Sequence, residues 1–327
     1  MVSRQQMALK DLFAIEKKPH KGLLTMEWVI LGYLVITLLL IFFTYTKMQD
    51  PAPLIWGRVR AVAITAAMWA VYRLVPCKFT HFCRISAQLL LLSWWYPDTY
   101  ELNKIFPNLD HLFAGFEQQL FGCQPALLFA QKITNPIFSE LMYLGYVSYY
   151  PLIGVVALYY FFKNYAEFNR AIFVIIASFF LYYLIFVFLP VTGPQYYYEA
   201  VGMDQIANGV FPNLHDYFAT HQEGMPLTGY TDGFIYQLYV DGHEAGERPT
   251  AAFPSSHVGI TTILLFLAWR SKSKGLILTI LPLYVLMCLA TVYIRAHYVI
   301  DVFGGWVSAT LFYVALQTYW SKAKRTY

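Results

Sequence analysis

Long apolar stretches, repeated from one end of the chain to the other, constrain its fold more than any other feature. Eight of them run from about Trp28 to Thr46, Ala61 to Val75, Phe82 to Tyr96, Ile137 to Phe162, Ala171 to Leu189, Val258 to Trp269, Gly275 to Ile294 and Tyr298 to Tyr319. A helix needs about 20 apolar residues to cross a bilayer. Several runs approach that length, and the shorter ones can extend into flanking residues. Charged residues make up only 13% of the 327, against about 25% in soluble domains. These features predict an all-α, polytopic integral membrane bundle of about eight transmembrane helices. No internal repeat, low-complexity tract or linker divides it.

The basic residues sort to one side. The N-terminal arm (Arg4 to Lys21), the Arg73/Lys78/Arg84, Lys163/Arg170 and Arg270/Lys272/Lys274 loops and the Lys322/Lys324/Arg325 tail share a side if the chain crosses eight times. Basic loops stay cytoplasmic, so cytoplasmic termini are expected. No cleavable signal pattern precedes the first apolar run. The polar stretches 97–136 and 190–253 and the turn at 295–297 then face the periplasm, lumen or exterior. The net charge of +4 is modest and confined to short loops, which argues against a nucleic-acid partner.

Polar side chains crowd the mouths of two late apolar runs. One cluster is Arg248-Pro-Thr-Ala-Ala-Phe-Pro-Ser-Ser-His257. Pro254 suits the first turn of a helix, where a missing N–H is harmless. Ser255, Ser256 and His257 would then lie beside unpaired amides that attract anions, phosphate above all. The second cluster is His297-Tyr-Val-Ile-Asp301. Its histidine and aspartate are four residues apart and share one helix face. A carboxylate there can hold one imidazole nitrogen and leave the other free to attack. Asp301 is the only acid in the last run, and ionisable groups inside a membrane are usually functional. The two clusters suggest phosphoryl transfer through a phosphohistidine. His297 attacks, Asp301 orients it, and His257 protonates the leaving oxygen and then activates the acceptor.

Pro254-Ser-Ser-His257 and His297-Tyr-Val-Ile-Asp301, in this order and two apolar runs apart, resemble the Pro-Ser-x-His and His-x-x-x-Asp motifs of the type-2 phosphatidic acid phosphatase superfamily. The resemblance implies the same roles for His297, Asp301 and His257. It implies a six-helix catalytic core, phosphate contacts from Ser256 and neighbouring amides, and no metal ion or other cofactor. On this reading residues 1–97 hold the arm and first spans, 98–320 the catalytic membrane core and 321–327 a basic tail. Two departures stand out. The family's phosphatases carry an arginine six residues before the last histidine, where this chain has Thr291. The lysine of their first motif is replaced by Asp241, although Arg248-Pro249 remains. Arg248 and Arg295 are left as candidate phosphate ligands or as interface anchors. The departures, with Leu189-Pro-Val-Thr-Gly-Pro194, Leu109-Asp110-His111 and Leu120-Phe-Gly-Cys-Gln-Pro125, are similar to the inositol phosphorylceramide synthase-like branch. That branch moves a phospho-head group to a lipid alcohol such as a ceramide. A lipid phosphatase and a non-catalytic lipid-binding protein are the alternatives. In each case the partner is a membrane lipid.

Other polar residues read as structural. Glu140 opens an apolar run as a dipole-favouring acid, and Asp110 begins a capped interfacial helix. Trp94, Trp95 and Tyr196 to Tyr198 fit a membrane belt. The histidines of the 190–253 stretch and the four cysteines have no metal-type spacing.

Overall fold

The computed structural model describes residues 9–227, 229–246 and 248–323, so Arg4, Lys324 and Arg325 lie outside the described residues. Described residues form helices and two single 3-10 turns, with no named strand. After a short α1 (Leu9–Leu12), three long helices follow: α2 (Thr25–Thr44), α3 (Ala52–Leu74) and α4 (Lys78–Asn103). Two shorter helices, α5 (Asp110–Phe121) and α6 (Pro125–Lys132), precede α7 (Pro136–Val147) and α8 (Tyr149–Lys163). The next long helix is α9 (Tyr165–Phe188). Short α10 (Pro194–Val201) and α11 (Met203–Ala207) and the amphipathic α12 (Phe234–Gly246) occupy the long polar stretch. Three helices complete the bundle: α13 (Ser256–Ser271), α14 (Lys274–Tyr293) and α15 (Val299–Ala323).

Local chemistry sets many of these boundaries. Proline occupies the first turn of α6, α7 and α10, where its fixed φ suits a helix start. Asn135 caps α7 by accepting from the Phe138 amide, and Ser273 caps α14 through the Leu276 amide. Gly122, at φ 69°, closes α5 in the left-handed region that glycine reaches without strain.

All eight apolar runs are helical, but they are not equivalent. Among the described residues five helices, α2, α3, α9, α14 and α15, are long and apolar enough to cross a membrane; α7 and α8, bent by 51°, make a sixth if taken as one span. The protein is an integral membrane protein. The expected eight spans include two that do not meet this test. The α4 helix is long enough but carries His81, Arg84, Gln88 and Asp98. The α13 helix has only 16 residues, nearly all buried against α8, α9, α14 and α15. A helix surrounded by protein has no need to match the bilayer thickness.

Buried ion pairs tie the first helices together. Glu27 of α2 binds Arg84 of α4, both fully buried. Arg58 of α3 makes a bidentate pair with Asp98 of α4, at 3.1 and 3.0 Å. At one end of the bundle, Glu16 accepts from Tyr72, His81 meets Tyr165, and Arg270 pairs with Glu167. The basic loops gather there. The 103–110, 190–198 and 215–230 segments meet the starts of α13 and α15 at the opposite end.

Candidate active site

The Arg248–His257 stretch enters α13 two residues later than the proline suggests. Pro254 lies outside the helix, behind a cis peptide bond. Ser255 is the N-cap, and its hydroxyl accepts from the Val258 amide at 3.3 Å. Ser255 is therefore buried and engaged in capping, whereas Ser256 opens onto the cavities described below. The Ser255 amide donates to the Asp301 carbonyl at 3.0 Å, which joins the start of α13 to the first turn of α15.

His297 is not on α15 but in the turn before it. Its amide donates to the Thr291 carbonyl at 3.0 Å. Its Nδ1 lies 2.8 Å from the Ala252 carbonyl and 3.4 Å from Asp301 Oδ2. A carbonyl only accepts, so Nδ1 carries the proton and Nε2 keeps its lone pair. The expected hold of Asp301 on His297 is thus shared. The carbonyl takes the hydrogen bond while the carboxylate stands close behind. Asp301 Oδ2 also accepts from the Tyr298 amide at 2.9 Å, as an acid in the third helical position does in a capping box. Burial pushes His297 down to about 4, against the opposing pull of the Ala252 carbonyl. The ring is neutral at physiological pH.

The rings of His257 and His297 face each other edge-on, with centroids 5.7 Å apart. His257 lies between Tyr146, stacked at 4.5 Å, and Tyr149, at 4.3 Å. Close helix contact makes this possible. A Cβ on Gly305 of α15 would fall 2.7 Å from the Ser255 carbonyl. Only glycine lets the two helix starts approach so far.

Two adjoining cavities meet at this pair. A small one, about 20 Å³, is lined by Arg248, Gln195, Tyr196, Thr250, His257 and His297 among others. A larger one, about 510 Å³, is lined by Tyr149, Tyr150, Phe179, Tyr183, Leu238 and Tyr239 among others. Tyr96, Tyr146, Ser256 and His257 line both. A polar chamber thus abuts an aromatic one, with His257 in the shared wall. The larger lies in the roughly 300–1,000 Å³ range of small-molecule sites.

The structure brings Arg248, Ser256, His257, His297 and Asp301 together. Arg295 does not line either cavity. It is buried in a left-handed turn at φ 64°, with its guanidinium on the Pro226 carbonyl and, at 3.8 Å, on Met225 sulfur. Thr291, where the superfamily's phosphatases have an arginine, is buried and bonds back to the Cys288 carbonyl.

Several structural expectations are corrected. Glu140 caps α12 rather than its own helix, accepting from the Ile235 and Tyr236 amides at 2.9 and 3.1 Å. Asp110 does not cap α5; it accepts from the 192–193 backbone. Trp95, Tyr197 and Tyr198 are buried inside the protein, not arrayed as a belt. Tyr196 lines the polar cavity, and Tyr96 and Tyr146 flank it. An excess of tyrosine, 27 in all, was the available signal, but it does not say which rings turn inward. Glu117 left no signal at all. It accepts from the Ile300 amide at 3.1 Å, at the start of α15.

Fold and site define an integral membrane protein with a buried two-histidine pocket at one end of its helical bundle. A family model described as the PAP2 superfamily matches residues 111–315, and the chain belongs to that family. It is a phosphatase or phosphotransferase. No curated protein and no solved structure matches the chain.

Proposed function

We propose that the protein transfers a phospho-head group between membrane lipids through phospho-His297, in the manner of the inositol phosphorylceramide synthase-like branch. One observation carries this reading: the polar cavity between His257 and His297 continues, across His257, into an aromatic chamber of about 510 Å³. The lone pair on His297 Nε2 attacks phosphorus. A P–N bond forms, the P–O bond to the leaving alcohol breaks, and His257 gives that oxygen a proton. An acceptor hydroxyl then gives its proton to His257 and attacks phosphorus as the P–N bond breaks. The aromatic chamber lies on the His257 side, where leaving and incoming alcohols belong. Arg248, Ser256 and the first amides of α13 stabilise charge on the phosphoryl oxygens. Arg295 supports the turn that presents His297.

The departures at Thr291 and Asp241 support the transferase over the hydrolase. Basic loops at the far end of the bundle support cytoplasmic termini and a site on the opposite face. A lipid phosphatase is the second reading, favoured by the small cavity, which at about 20 Å³ admits one water-sized group. Labelled donor lipid, supplied with and without ceramide or diacylglycerol, separates the two. The transferase yields labelled lipid that depends on acceptor, whereas acceptor-independent release of phosphate refutes it. A covalent intermediate should leave acid-labile, base-stable label on the protein, absent from His297→Ala.

A further inference from the structure

Asp110 is a fully buried carboxylate that the chemistry above does not use. Five donors surround it. Its Oδ2 accepts from the Asn108 side chain at 2.6 Å, the Thr192 amide at 2.6 Å and the Thr192 hydroxyl at 2.9 Å. Its Oδ1 accepts from the Gly193 amide and the Tyr298 hydroxyl, both at 2.9 Å. All five donors are neutral. Removing a carboxylate from water is unfavourable, and a simple link between segments needs no ion. A charged acceptor does, however, hold backbone amides and a phenol more tightly than a neutral one.

Both sides of this cluster lead to His297. Tyr298 is the next residue, and its amide donates to Asp301. Its ring packs on Phe113 and Tyr198. On the other side, Val191 accepts from the Ala252 amide at 2.9 Å, and Ala252 is the residue whose carbonyl accepts the hydrogen bond from His297 Nδ1. Gly193, at φ 95°, lies so close to the Ala296 carbonyl that no Cβ fits, and Gln195 donates to the Arg295 carbonyl at 2.9 Å. The 191–195 segment is therefore clamped between the two backbones that flank His297, with Asp110 at its centre.

We propose that Asp110 is a positioning residue for His297. It acts through Tyr298 on one side and through Val191 and Ala252 on the other, and sets which nitrogen of the ring is free. The inference rests on His297 as the nucleophile, but its test needs no turnover. Diethyl pyrocarbonate acylates unprotonated histidine, so mass spectrometry after timed exposure of the detergent-solubilised full chain reads the reactivity of His297, with His257 as internal reference. Asp110→Asn puts an N–H where at least two backbone or side-chain donors point. Tyr298→Phe removes one donor and leaves the packing intact.

Both variants should elute and melt as folded protein. The His297 to His257 acylation ratio should fall about tenfold in Asp110→Asn, the lower end of what loss of an orienting partner costs metal-bound histidines in affinity or activity. It should fall by a smaller factor in Tyr298→Phe. An unchanged ratio in Tyr298→Phe, or equal changes at both histidines in either variant, overturns the proposal. If Asp110→Asn does not fold, Tyr298→Phe alone decides. Should the wild type transfer no phospho-head group while the ratio still falls, the positioning stands and the reaction assignment fails.

Discussion

At individual residues, burial decides protonation, and the two sides of the site respond to pH in opposite directions. His297 has a folded value near 4 against about 6.5 when exposed. Between these, the unfolded chain binds the proton and the folded one does not. This contribution to stability is complete above pH 6.5 and is lost as the pH falls toward 4. The fall in Tm on acidification over this window should be shallower in His297→Gln than in the wild type. Glu117 runs the other way. Burial holds it near 7, so its contribution is complete below its unfolded value of about 4.3 and is lost as the pH rises through 7. Glu117→Gln keeps an acceptor for the Ile300 amide and removes the titration. It should match the wild type in Tm at pH 4 and exceed it at pH 8; equal Tm at both would mean that the carboxyl is not held protonated. For chemistry, His257→Ala and His297→Ala should each lower turnover by about a hundredfold or more, the usual scale for a positioned acid–base or nucleophilic group. The two histidines and Asp301 were readable because polar residues at the mouths of apolar runs stand out. The Ala252 carbonyl was not, since any residue can supply a carbonyl and only the fold selects this one.

Among the helices, the decisive contact is between α13 and α15. The two meet at Gly305, and their first turns share the bond from Ser255 to Asp301. Gly305→Ala forces a Cβ against the Ser255 carbonyl. It should lower Tm and also reduce turnover by moving His257 away from His297; a drop in Tm without loss of turnover would separate stability from site geometry. At the other end, Arg84→Ala strands Glu27 in the interior. Breaking such a buried pair removes about 3–5 kcal/mol, measurable as a large fall in the temperature at which the detergent-solubilised protein aggregates. Helix positions were well marked in the sequence, because apolar length reports membrane burial directly. The kind of helix was not. The chain of α13 reads like a short span, yet its burial on all sides makes it a core helix. Arg84 and Asp98 of α4 read like loop residues until their partners, Glu27 and Arg58, are in place.

For the whole molecule, the basic end and the site end lie at opposite poles of the bundle. Cysteines at Gln222 and Lys163, both exposed, test which pole faces which compartment. Added to intact cells, an impermeant thiol reagent should label Gln222→Cys and spare Lys163→Cys; the reverse pattern would invert the topology. The membrane class, the helical content and the motifs behind the proposed two-histidine site followed from the one-dimensional pattern, since apolar length, basic loops and motif spacing are local properties. Three-dimensional packing alone assigned the rest. It turned tyrosines inward to build a chamber beside His257, sent Arg295 to a loop carbonyl, and made Asp110 the centre of a cluster whose members come from positions 108, 192, 193 and 298. The reason is physical. A buried polar group must find its partners wherever the chain returns, and that return is a property of the packed bundle, not of any one segment.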